Sequence, residues 1–166
     1  MYRNIEDLLA DWKEESEFTQ KIFSHLTDDS LTAKVTDDGR SIGKISWHIV
    51  QTLTEMGKIA CIFDEDPLAD KPVPKTVKEI ADTYSQKNAD AVNFINSKIK
   101  ESMLFAPMEI YGEMWELRKV FQVIIKHQAH HRAQLTVLMR QAGLTVPGIY
   151  GPSKEEWSQY NMPPQE

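Results

Sequence analysis

An all-α four-helix bundle, with a long crossover connection and an irregular C-terminal tail, is the fold this sequence predicts. Three observations point to it. Apolar residues recur at the three-and-four spacing of a helix burying one face in four stretches, 4–26, 41–63, 76–100 and 113–141. No stretch reads convincingly as a strand. A single long, proline-punctuated segment, 64–75, separates the second stretch from the third.

The first helix places Ile5, Leu8, Leu9, Trp12, Ile22, Phe23 and Leu26 on one side. Asn4 is its expected N-cap, and Glu6 and Asp7 suit the positive end of the helix dipole. Its middle, Glu14-Glu15-Ser16-Glu17, is polar, which predicts a weaker hold on the core there. His25 falls near the C-terminal end, where a ring that hydrogen-bonds or carries positive charge is well placed, so it is not counted as a ligand.

The turn Asp37-Asp38-Gly39-Arg40 leads to Ser41, which opens the second helix. Ile42, Ile45, Ile49, Thr52, Met56, Ala60 and Phe63 form its expected buried set. Pro67, Pro72 and Pro74 keep 64–75 extended, and the segment is long enough to cross an end of a bundle. Thr76-Val77-Lys78-Glu79 has the form of a capping box and starts the third helix, with Val77, Ile80, Ala81, Tyr84, Ala91, Ile95 and Ile99 facing inward. Residues 101–112, containing Pro107 and Gly112, read as an irregular lead into the fourth helix. Gly143 ends that helix and Pro147 follows. Trp157 is the expected anchor of the tail.

With 166 residues, 41% of them apolar and 27% charged, the chain reads as one folded domain spanning 1–166. A net charge of −6 without a basic cluster argues against nucleic acid and an anionic membrane surface as partners. No run approaches the roughly 18 apolar residues of a membrane span. Neither a secretory pattern at the N-terminus nor a second cysteine beside Cys61 is present, so a cytoplasmic setting is expected.

Three of the five histidines lie within Lys126-His127-Gln128-Ala129-His130-His131-Arg132. On a helix His127 and His131 stand about 40° apart and continue the Val120, Ile124, Leu138 stripe, while His130 leans to the flank. Imidazoles turned into a core need partners, and one metal ion satisfies two facing rings at once. His48, on an otherwise aliphatic stretch of the second helix, is the candidate third ligand, provided the second and fourth helices are neighbours. Cys61 lies roughly 20 Å along the helix from His48 and reads as a small buried hydrophobe.

Ser41-Ile42-Gly43, Trp47-His48-Ile49, His127 with His130-His131-Arg132, Gln134-Leu135 and Arg140-Gln141-Ala142-Gly143 with Pro147 together resemble the DinB/YfiT-like family. The resemblance covers most of the chain. It implies a metal-binding four-helix bundle, often a homodimer, with His48, His127 and His131 as ligands and the His130 position outside the ligand set. It also brings in the wider family's thiol-dependent transferases and isomerases. Ala133 departs from the glycine of many relatives, which bears only on close packing.

Three neutral imidazoles with an open fourth position is the catalytic pattern for zinc, the first choice here; nickel, ferrous iron and manganese accept the same donors. Such a site can activate a water or take a thiol as thiolate. Gln134 and Glu55 are the catalytic candidates. Gln134 could donate to an oxygen at the metal or to substrate, or be no more than a polar residue at the bundle's end. Glu55 could orient His48 or act as a base, against its reading as a solvated helix-face residue. Arg132 reads as a structural ion pair. Two functions follow. One is a metal-dependent enzyme, a transferase or hydrolase acting on a small-molecule substrate, with a low-molecular-weight thiol as the leading co-substrate. The other is a non-catalytic metal-binding bundle serving a stress response or association. A polar cavity open to solvent at the triad would favour the enzyme, and a sealed, dry site the second.

Overall fold

In the computed structural model, which describes residues 1–164, four helices carry the fold. They are α1 (Ile5–Phe23), α2 (Ile42–Ile59), α3 (Val77–Lys98) and α4 (Leu117–Gln141). Each of the first three begins where a polar side chain takes up an orphan backbone donor. Asn4 accepts from the Asp7 amide at 2.7 Å, Ser41 from Lys44 at 3.2 Å and Thr76 from Glu79 at 3.2 Å. At the other end of α4, Gly143 adopts φ +73°, and the Leu144 amide turns back to the Met139 carbonyl at 2.8 Å. That is the glycine stop its position suggested.

Around the bundle the neighbours are α1 with α3 and α4, and α2 with α3 and α4. So α1 and α2 face each other across the diagonal. The segments 24–41 and 99–116 cross between diagonal helices, whereas 64–75 links the neighbours α2 and α3 and is bonded along α2. Gln51 Nε2 donates to the Leu68 carbonyl at 2.9 Å, and Trp47 Nε1 to the Lys71 carbonyl at 3.1 Å. The core fills the space between the helices with Leu8, Trp12, Ile22, Ile49, Leu53, Ile80, Ile95, Val120, Phe121 and Leu135, all essentially inaccessible to solvent.

Three local expectations are corrected. The segment read as irregular holds an antiparallel hairpin, β1 (Pro107–Ile110) against β2 (Glu113–Glu116). Its two-residue turn places Tyr111 and Gly112 at φ +50° and +81°, the geometry whose twist suits a tight hairpin. Residues 113–116 are therefore strand, and α4 begins at Leu117. Cys61 is exposed, because α2 stops at Ile59 and the chain turns through Cys61 at φ +57°, so helical projection no longer applies there. Trp157 is only half-buried, and the tail is held by polar side chains instead. Arg140 pairs with Glu155 at 2.6 Å, and Glu156 accepts from the Gly148 amide at 3.0 Å.

The polar middle of α1 is also better anchored than its composition suggests. Ser16 and Thr19 are buried, and Glu15 pairs with Arg132 of α4, a side chain 2% exposed. Arg132 donates further to the Glu15 carbonyl at 3.0 Å, to Thr19 Oγ1 at 2.9 Å and to the Tyr150 hydroxyl at 2.7 Å. One turn earlier on α4, Gln128 Oε1 accepts from Tyr84 at 2.7 Å and from Thr19 at 3.1 Å. Arg132 is thus a structural ion pair, as its place in the sequence suggested.

Candidate metal centre

Residues four apart on a helix share a face, and α4 uses this twice. Gln128 and Arg132 look toward α1 and α3. His127 and His131, one residue earlier in each case, look toward α2, where His48 sits two turns from the N-terminus. The ring nitrogens of His48, His127 and His131 all lie within 4.8 Å of one another. Ring centroids are 4.4 Å apart for His127 and His131, 4.7 Å for His48 and His131, and 5.1 Å for His48 and His127.

The hydrogen bonds behind the rings orient two of them. Nδ1–H of His131 donates to Gln134 Oε1 at 2.7 Å. The Thr52 hydroxyl donates to the His48 carbonyl at 2.8 Å, which leaves its oxygen to accept from Nδ1–H of His127 at 3.3 Å. Both rings then present bare Nε2 atoms to the centre, 3.1 Å apart. Two lone pairs at that distance repel unless a proton or a cation lies between them. Ligand atoms of a tetrahedral site with bonds of about 2.05 Å are about 3.3 Å apart, so the donor set fits a divalent ion. An outward N–H held by an oxygen acceptor is also the usual support of a metal-ligating imidazole.

Electrostatics keep the donors neutral. Burial, then the charges of His131, His48, His130 and Arg40, push the His127 imidazole down to about 4. Burial, with His131 and Arg40, lowers His48 as well. His131 is lowered by burial, partly opposed by its bond to Gln134. An imidazole that is neutral at pH 7 has the lone pair a metal needs.

The remaining sequence candidates fall elsewhere. His130 is exposed, with its ring edge-on to His131 at 4.9 Å, and is not one of the three converging rings. Glu55 is exposed and accepts from the Tyr111 hydroxyl at 3.2 Å, so it neither orients His48 nor stands at the triad. His25 Nδ1–H donates to the Lys21 carbonyl at 2.9 Å at the end of α1. Gln134 does belong to the site, as the partner of His131. Thr52 and Arg40 were missed. Thr52 had a signal, four residues past His48 on the same face, but was read only as core.

Two cavities lie near the triad, one lined by Gln134 and the other by His48. One, of about 420 Å³, is lined by Val35, Gly39, Arg40, Ile45, Gln134, Val137 and Leu138. The other, of about 240 Å³, is reached by His48 itself and by Arg40, which forms part of the wall of both. The smaller cavity thus reaches the triad through His48, while the larger one touches its surroundings through Gln134 and Arg40. Among the described residues, no helix is long and apolar enough to cross a membrane.

The family model described as DinB family matches residues 1–166. YrdA of Bacillus subtilis strain 168 is 36% identical over 162 residues, covering 98% of this chain and 97% of that protein. The crystal structure of a DinB-like protein from Bacillus cereus ATCC 10987 superposes with a TM-score of 0.86 at 38% identity, over 90% of this chain and all of that one. YjoA, a DinB-like protein of Bacillus subtilis, superposes with a TM-score of 0.69 over 88% of this chain and 99% of its own, and at 17% identity it supports the fold alone.

Proposed function

The chain belongs to the DinB family, and we propose that it is a metal-dependent enzyme whose divalent ion, zinc in the first instance, is held by His48, His127 and His131. The observation that carries this reading is the convergence of three neutral imidazoles, two of them held with their free nitrogens toward one point. The smaller cavity, which His48 lines, favours catalysis over storage, because it gives a small molecule a route to the triad.

The reaction we favour transfers or adds a small thiol to an electrophilic substrate. A bound ion would supply a lowered thiol pKa. The chain's own residues supply the rest. Gln134 holds the His131 ring through its carbonyl oxygen, which leaves its amide N–H groups to bind a substrate in the larger cavity. Val35, Ile45, Val137 and Leu138 offer that substrate an apolar wall and displace water from it. Homodimeric association follows from the family resemblance, and light scattering tests it.

Metal content measured by mass spectrometry on purified variants tests the site. His48→Ala, His127→Ala and His131→Ala should each lose stoichiometric metal, while His130→Ala should keep it. Equal loss from all four would overturn the assignment. Turnover with a panel of low-molecular-weight thiols and electrophiles tests the reaction, and a fully loaded protein inert toward all of them would favour the non-catalytic bundle.

A further inference from the structure

Every charged side chain that lines the smaller cavity is cationic. Arg40, Lys44 and Lys71 line it together with Trp47, His48 and Gln51, and no carboxylate does. In a chain of net charge −6 this is unusual company. Nine lysine and arginine side chains elsewhere pair with carboxylates. Among the described residues the side chains of Arg40, Lys44 and Lys71 have neither an ion pair nor a hydrogen bond. Nearby acids are engaged elsewhere or do not line the cavity: Asp37 pairs with Lys34, and Asp38 bonds to Thr36.

The backbone around these cations is fixed. Arg40 and Lys44 flank the Ser41 cap at the start of α2. Lys71 is brought across from the connection because its carbonyl accepts from Trp47 Nε1 at 3.1 Å and from Gln51 Nε2 at 3.3 Å. Pro72 and Pro74 stiffen the chain just beyond. Three exposed cations around one opening favour a ligand of opposite charge. A single negative charge would leave two of the three cations unmatched.

We propose that this cavity is an anion subsite, which binds the acidic end of a small ligand carrying at least two negative charges, as carboxylates or as a phosphate. His48 forms one wall, so a ligand anchored there extends toward the triad. The subsite thereby narrows the substrate class of the proposed enzyme and rests on that reading only for the role of the ligand's other end. The anion contacts are made by the protein alone.

The test uses the full chain freed of metal by chelation, titrated calorimetrically at low ionic strength with inorganic phosphate, succinate and acetate. Phosphate and succinate should bind saturably and more tightly than acetate. Arg40→Gln, Lys44→Gln and Lys71→Gln should each weaken binding about two- to fivefold, the range for an exposed charge pair, and the triple variant should abolish it. Lys98→Gln, at the end of α3, should leave it unchanged. Binding of phosphate alone would assign phosphate esters, of succinate alone dicarboxylates, and of both a site read by charge. Absence of saturable binding, equal weakening by Lys98→Gln, or acetate binding as tightly as succinate would overturn the proposal. Metal stoichiometry measured before chelation separates this failure from failure of the metal site.

Discussion

Replacing Gln134 by leucine isolates the support of one candidate ligand. Gln134 Oε1 accepts from His131 Nδ1–H at 2.7 Å, while the residue itself is exposed near the C-terminal end of α4. The substitution removes that acceptor without opening the core, so stability should change by less than about 0.5 kcal/mol. The His131 ring then loses the bond that fixes its tautomer and orientation. Loss of such a partner costs about 10- to 100-fold in metal affinity, or about 1.4–2.7 kcal/mol. Competition against a chromophoric chelator at pH 7.5 measures it. Gln134→Glu, whose carboxylate accepts the same hydrogen bond more strongly, should bind at least as tightly as the parent. Thr52→Val should have a smaller effect, because the His127 bond is longer at 3.3 Å. A Gln134→Leu affinity within twofold of the parent would refute the claim that this bond supports a ligand.

Three further outcomes are expected. In metal-free protein the His127 pKa of about 4 lies below its unfolded value of about 6.5, so the unfolded chain takes up the proton first as pH falls. The resulting stability is fully present above about pH 6.5 and is lost on acidification toward pH 4. It amounts to about 1 kcal/mol after allowance for the ring's partial exposure, read as the difference between parent and His127→Gln urea midpoints; a difference that does not vary with pH counts against it. Glu15→Ala should cost about 3 kcal/mol by leaving the Arg132 charge buried without its carboxylate, and should lower the melting temperature by about 6–12 °C. Chelation should leave the helical circular dichroism nearly intact at 25 °C, since the apolar core lies between all four helices, while added metal should raise the melting temperature; collapse of the signal would make the ion structural.

The helices were legible because each carries its own period, and long amphipathic segments leave little choice of partner surface. His48, His127 and His131 were legible for the same reason: imidazoles on apolar stripes conflict with their surroundings. The hairpin was not. Its strands are four residues each and largely exposed, and Tyr111 occupies a turn position where asparagine or aspartate would have been the clearer signal. Arg132 read as a structural ion pair, but its network with Glu15, Thr19 and Gln128 escaped notice because polar residues in a helix read as solvent-facing until their partners on another helix are known. The same holds for Arg40, Lys44 and Lys71, which only the path of the 64–75 connection brings together.

That path separates two tasks. The triad stands on α2 and α4, whose packing the core enforces, whereas one wall of the cavity beside it is a stretch of connection tied to α2 through the Leu68 and Lys71 carbonyls. Backbone acceptors do not depend on which side chains the connection carries. Lys71, Pro72 and Val73 can therefore be exchanged while the latch, and the helices beneath it, stay as they are. On the proposed reading, selectivity could drift in evolution without disturbing the histidine triad, and a designer could retarget the cavity by rewriting a few residues of one loop.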